Sequence, residues 1–168
     1  KTCNFKNDLS VYINQAASSD LLALKINHNL IENLEIVIPS TQQNIISTRV
    51  FLILEKAAKL NLLEVILGDQ KSAQNHLIEI KLEANSELNH ELISLGQEEQ
   101  ASSMTTIAVE QDSKSKYSLN SIHQGWHYAR FEPRIIQKKG EAFSTIKSLQ
   151  VSCKQEQIAT HSLVKFQG

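Results

Sequence analysis

Six aliphatic residues recur along this chain at almost constant spacing: Leu24, Leu52, Ile80, Ile107, Ile135 and Leu163, in steps of 28, 28, 27, 28 and 28. Each sits in a short alternating segment: LLALKI, VFLILE, IEIKLE, TTIAVE, PRIIQK and HSLVKF. A sustained period of this length implies one structural unit stacked repeatedly on its neighbour. Alternate side chains of a strand face opposite ways, so Leu22, Leu24 and Ile26 share one face. Val50, Leu52 and Leu54 do the same, as do Ile78, Ile80 and Leu82, then Thr105, Ile107 and Val109. Pro133, Ile135 and Gln137 hold the fifth set of places, with Pro133 expected at a strand start.

A second strand follows each first one after a short polar turn: KAAK (56–59), ANSE (84–87), QDSK (111–114) and KGEA (139–142). These second strands are expected to begin near Glu32, Leu60, Leu88, Ser115 and Phe143. Leu34, Leu62, His90, Tyr117 and Thr145 would form one column, and Ile36, Glu64, Leu92, Leu119 and Lys147 another. Polar stretches PSTQQN, GDQKSAQN and GQEEQASS return the chain to the next first strand. The reading is therefore all-β: a flattened solenoid of about 28 residues per coil, with corresponding strands parallel and about 4.8 Å apart. An antiparallel sandwich is the rival fold, but it does not require constant spacing. Residues 1–20 read as a lead-in carrying a short helix, with Asp8 as N-cap and Val11, Tyr12 and Ala16 at helical spacing. Ser18, Ser19 and Asp20 read as its exit, and 21–168 as the solenoid core.

Composition excludes several functions. With 168 residues and a formal net charge of −1, the chain lacks the basic excess of a nucleic-acid binder. Aromatic residues are only 5 %, too few for a base-stacking platform. No apolar run reaches the ~20 residues of a membrane-spanning helix, and no signal peptide is visible. The opening Lys1 and the ending at Gln167 and Gly168 lead to the expectation of further sequence on both sides. Cys3 and Cys153 form no CxxC pair, which favours free thiols in a reducing compartment.

The candidate chemical residues are mainly histidines. His123 and His127 make an HxxxH that would share a helix face and could ligate a metal. Gly125 interrupts it and no HExxH glutamate is present, so the segment reads as a surface loop. His90 falls in an inward column, as a satisfied interior polar residue. His161, beside Thr160, is the candidate for metal binding or proton transfer. Glu98 and Glu99 read as solvated loop charges rather than an acid–base pair. No GxSxG, P-loop or GxGxxG occurs.

INQAASSDLLALKI through IENLEIVIPS resembles the beginning of the core domain of SufB/SufD proteins, which assemble iron–sulfur clusters. RVFLILEKAAKLNLLEVILG is similar to that family's strand–turn–strand pattern. NHLIEIKLEANSELNHELISLGQEEQ, GWHYARF with its Arg130, and KGEAFSTIKSL resemble the SufD branch in particular. The resemblance covers nearly the whole chain. It implies a right-handed parallel β-helix and a non-catalytic scaffold subunit in the cytoplasm, or in the plastid stroma of a photosynthetic eukaryote. Its implied partners are a SufB-like subunit and a SufC-like ATPase. No cofactor is implied for this segment; the iron–sulfur cluster would belong to the assembled complex. The family's cluster-building Cys-Ser-His-Gly sequence is not found here, and His161 matches an earlier histidine, so no metal or catalytic residue is carried over. A β-helical carbohydrate-active enzyme and a generic structural binding module are the alternatives.

Overall fold

A computed structural model describes residues 9–18, 21–27, 31–39, 45–69, 71–97 and 100–167. After a helix α1 (Leu9–Ala17) the described elements are strands: β1 (Leu21–Ile26), β2 (Ile31–Ile38), β3 (Ile45–Leu54), β4 (Lys59–Gly68), β5 (Ala73–Leu82) and β6 (Glu87–Gly96). They continue as β7 (Ser102–Gln111), β8 (Lys116–Gln124), β9 (Tyr128–Gln137), β10 (Phe143–Val151), β11 (Gln157–Thr160) and β12 (Leu163–Phe166). One sheet runs β1-β3-β5-β7-β9-β11, with β12 also on β9; the other runs β10-β8-β6-β4-β2. Every strand pairing is parallel. Each coil gives one strand to each sheet, so the chain is a parallel β-helix and its core lies between the sheets.

Strand register explains what the repeat means. Leu24 pairs with Leu52, and Leu52 with Ile80, as the period predicts. Ile80 then pairs with Val109, not Ile107; Val109 pairs with Ile135, and Ile135 with Val164. Ile107 instead stacks between Ile78 and Pro133. Its displacement is two residues, so it still faces inward and is fully buried. Leu163 is displaced by one, pairs with Arg134, and is exposed. The second-sheet columns need a similar correction. Leu34, Leu62 and His90 continue through Leu119 and Ile146, while Tyr117 stacks on Leu88. Ile36, Glu64 and Leu92 continue through Ser121 and Ser148. Lys116 pairs with Phe143, 27 residues on, and this shortened coil turns Thr145 and Lys147 to the outer face.

The corners repeat as faithfully as the strands. Amides of Ala58, Ser86 and Ser115 donate to carbonyls of Glu55, Glu83 and Asp112 at 2.9, 3.1 and 3.3 Å. Each closes a four-residue turn whose third residue is left-handed: Ala57 (φ 62°), Asn85 (61°) and Lys114 (57°). The turn ends on a buried small residue, Ala58, Ser86 or Ser115, which lets successive corners stack closely. Inside, the aliphatic columns drive folding by removing apolar area from water, at about 25 cal/mol per Å². The column Ile26–Leu54–Leu82 changes chemistry at Gln111 and Gln137. These buried amides are satisfied: Gln111 Nε2 donates to Phe143 O at 3.1 Å, and Gln137 Nε2 to Ser144 Oγ at 3.2 Å.

Pro133 lies inside β9 rather than at a strand start. The Phe131 carbonyl accepts from His161 N–H at 2.9 Å, on the side of β9 that faces β11. Pro133, two residues on, points its backbone the same way, opposite the interruption between β11 and β12, where no ladder donor is required. α1 lies against the outer face of the first sheet. It turns Ser10, Val11 and Asn14 inward and leaves Tyr12 and Ala16 exposed, a different face from the Val11–Tyr12–Ala16 spacing. Asn14 Nδ2 donates to Thr48 O at 3.0 Å and Asn75 O at 2.8 Å, bridging two strands. Ser18 N–H donates to Asn14 O. Asp8, Ser19 and Asp20 lie outside the described residues.

Candidate functional site: a polar seam inside the helix

The alternation that buries Leu62 and Ile66 on β4 also buries Glu64 between them, with no exposed surface. A lone carboxylate there would be prohibitively costly. It is met from both sheets: His76 Nε2 lies 2.9 Å from Oε1, and His90 Nε2 lies 3.2 Å from Oε2. The remaining imidazole nitrogens are also engaged. His76 Nδ1 is 2.7 Å from Thr48 Oγ1, and His90 Nδ1 is 3.1 Å from Tyr117 Oη. One assignment satisfies every atom: both rings carry hydrogen on Nε2 and donate to Glu64, while the two hydroxyls donate to Nδ1. The imidazoles hold the Glu64 carboxyl well below the usual carboxylate range, against the opposing effect of burial. Burial, reinforced by the Glu64 charge, pushes the Tyr117 phenol well above its ordinary value. The chain Thr48–His76–Glu64–His90–Tyr117 thus crosses the lumen as a paired seam, buried from His76 to Tyr117. It can hold and redistribute a proton, but no substrate-sized space adjoins Glu64 among the described cavities.

The sequence placed His90 and Glu64 in inward columns but did not join them. His76 was missed; its alternation with Ile78 and Ile80 is the signal that would have found it. His123 and His127 are not brought together. His123 ends β8 pointing inward, 2 % exposed, with its ring 4.3 Å from that of Phe131, whereas His127 is exposed. Burial lowers the His123 pKa to about 4, and its Nε2 has no hydrogen-bond partner.

The GWH segment is the loop that joins β8 to β9, but its Trp126 is turned inward rather than lying at the surface. Trp126 is fully buried and donates from Nε1 to Ser94 Oγ at 3.0 Å. Its indole occupies the space that a side chain on Gly68 or Gly96 would fill, and Gly125 (φ 75°) makes the close turn beside Gly96. The three glycines recur at steps of 28 and 29, so the solenoid period itself marked the pocket.

His161 is exposed between β11 and β12, and its backbone is tied to Phe131. Arg130 lies on β9 and, with Arg134, clamps buried Glu132: Arg130 Nε is 2.6 Å from Oε1 and Arg134 Nη2 is 2.6 Å from Oε2. Cys153 is a free, exposed thiol in the turn after β10. Cys3, Glu98 and Glu99 lie outside the described residues. Among the described residues no group of three His, Cys, Asp or Glu could hold a metal ion, and no helix is long and apolar enough to cross a membrane.

Comparison with known families gives a match over residues 37–168, described as SUF system FeS cluster assembly, SufBD core domain. That span takes in the coils from late β2 onward, including the whole polar seam. Comparisons with curated proteins and with solved structures give no match. The stacked parallel coils and the family match agree: this chain belongs to the SufBD core family of the SUF iron–sulfur cluster assembly system.

Proposed function

We propose that this chain is the SufD-type scaffold subunit of its SUF assembly complex, acting beside a SufB-type subunit and a SufC-type ATPase in the cytoplasm or plastid stroma. The observation that carries the reading is the closure of the polar seam. Both Glu64 oxygens are taken by His76 and His90, and both imidazoles are backed by hydroxyls. The seam's acid–base groups are spent on holding two sheets in register, which suits a body that positions chemistry carried out by others. Arg130 supports the SufD assignment through GWHYARF, and its clamp on Glu132 gives that arginine a structural task. The cluster is then cargo of the complex and ATP hydrolysis belongs to the SufC-type subunit. The family match does not favour the carbohydrate-active alternative.

The test is rescue combined with co-purification. The full-length protein should restore iron–sulfur enzyme activity to cells lacking their SufD-type subunit, and not to cells lacking the SufB-type one. It should also co-purify with both partners. The reverse rescue pattern would reassign the chain to the SufB branch; rescue of neither strain with no co-purification would overturn the scaffold reading.

A further inference from the structure

The two outer faces of this solenoid differ. α1 lies across the strands of the first sheet, with Ser10 Oγ 3.4 Å from Thr106 Oγ1 and Asn14 bonded to the Thr48 and Asn75 carbonyls. Leu77, Thr106 and Ala108 are buried on that face. The second sheet has no such cover among the described residues. Its outer face carries an in-register apolar column, Val37–Val65–Ile93–Ile122–Leu149, with Leu67 and Leu95 beside it. Val37, Ile122 and Leu149 are 49, 42 and 56 % exposed. On the other side runs a mixed column, Glu35–Leu63–Glu91–Asn120–Lys147. A shallow groove of about 430 Å³ joins the two columns, lined by Leu63, Glu91, Ile93, Ile122, Lys147 and Leu149 among others. Glu35 and Lys147 are exposed, and neither has an ion-pair partner among the described residues. Glu91, also exposed, accepts from Asn120 Nδ2 at 2.8 Å. Lys59, Glu87 and Lys116 pair with one another at 3.6 and 3.8 Å. Their row lies three outward positions, ~20 Å, from the apolar column.

We propose that this face docks an amphipathic helix of a partner protein, laid along the apolar column, with basic side chains over Glu35 and Glu91 and an acidic one over Lys147. The column runs across the strands, so an added strand would meet it only once. A helix laid along it meets it in every coil. Its ~5.4 Å pitch is close to the ~4.8 Å strand spacing, so each turn sets an apolar residue over one strand. The five strands span ~19 Å, about thirteen residues of helix. α1 makes the same crossing on the opposite sheet. Charge selects the partner. Glu35 and Glu91 lie two coils apart, as do Glu91 and Lys147, and two coils correspond to about two turns of helix. One flank of the apolar stripe therefore carries two basic residues and then an acidic one, each about two turns from the last. The macrodipole sets the direction, with the N-terminus toward Glu35 and the C-terminus toward Lys147. A second copy is the poorer occupant: two-fold pairing of this face would set Glu91 on its own copy and Lys59 on Lys116. Another copy's α1, LSVYINQAA, has no charged side chain to offer. The inference does not depend on the SufD reading.

Titration of the chain into a labelled synthetic helical peptide of this pattern, followed by fluorescence anisotropy, tests it. Circular dichroism is the fold control for each variant. The peptide carries a leucine stripe flanked by two lysines and then a glutamate, each two turns apart. The expected result is saturable one-to-one binding. A second peptide with the same stripe and the three charges reversed should bind about tenfold more weakly. The triple variant Glu35→Lys/Glu91→Lys/Lys147→Glu should invert that preference. Ile93→Lys, at the centre of the column, should weaken both peptides about thirtyfold. Absence of binding overturns the proposal, as does equal affinity for the two peptides. So does a preference that the triple variant fails to invert, or binding that Ile93→Lys leaves unchanged. Sedimentation showing that the chain self-associates through Ile93 would also overturn it, giving the face to a second copy.

Discussion

Two buried histidine environments in this lumen behave in opposite ways. Around Glu64, His76 and His90 act as hydrogen-bonding links: every nitrogen has a partner, and the pair neutralises the cost of an interior carboxylate. At the end of β8, His123 acts as an aromatic filler against Phe131, and its Nε2 has no partner. Both environments are buried, so burial alone does not decide what an imidazole does. The difference lies in what the neighbouring coil supplies. Glu64 stacks between Ile36 and Leu92 but reaches a histidine from each sheet; His123 stacks between Ser94 and Gln150, and the Ser94 hydroxyl is taken by Trp126. A paired imidazole specifies register, because a one-residue slip would strand a charge. An unpaired one leaves the site sensitive to acid.

Breaking the paired environment should give the largest effect. Glu64→Ala removes the common acceptor and leaves the Nε2 of both rings without a partner beside a void, so about 3–5 kcal/mol of stability should be lost. Glu64→Gln should cost less, about 1–3 kcal/mol. Its carbonyl still accepts from one ring, and the other ring can move its proton to Nδ1 and donate to the hydroxyl behind it. Urea unfolding at pH 7 measures both. Equal losses for Ala and Gln would mean that the charge, rather than the hydrogen bonding, holds the seam together.

The unpaired environment is sharpened by pH. The His123 pKa is lowered to about 4, below its ordinary value near 6.5. Between those values the unfolded chain binds a proton that the folded chain refuses, so stability falls as pH falls. The window is pH 6.5 to 4, and its contribution is about 3 kcal/mol. Glu64 acts lower: its depressed carboxyl contributes stability above about pH 4.5, its unfolded value, and that stability is lost on further acidification. Unfolding midpoints from pH 8 to 3 should therefore show two successive declines, the first absent from His123→Leu. A first decline unchanged in that variant would assign it to another group.

Much of this fold could be read from alternation and period, because the aliphatic columns of the first three coils keep a constant 28-residue step. The fourth coil could not be placed as well. Ile80 meets Val109 after 29 residues and Val109 meets Ile135 after 26. A two-residue slip leaves the same face inward, so Ile107 remains buried and hydropathy gives no warning. Thr145 and Lys147 show the other case, where one residue fewer in a coil exchanges the two faces. The polar seam was half visible: the columns placed Glu64 and His90 inside, but contact between the two sheets is not a property of any one column. Trp126 was misplaced because its glycines looked like a loop. Their spacing, not their identity, marked the pocket they make.

The smallest expected effect separates filler from link most cleanly. At pH 7 His123 is neutral, and leucine has a similar volume, so His123→Leu exchanges one packed side chain for another. Such swaps change stability by less than about 1.5 kcal/mol. Here the buried, unpartnered Nε2 is removed, so the sign should favour the variant. His76→Leu or His90→Leu makes the same exchange of shape but strands one Glu64 oxygen, and each should destabilise. The histidines thus separate by the sign of one substitution at one pH. If His123→Leu destabilised as much as His90→Leu, the Nε2 of His123 would have to be satisfied in solution, and its acid sensitivity would disappear with the distinction.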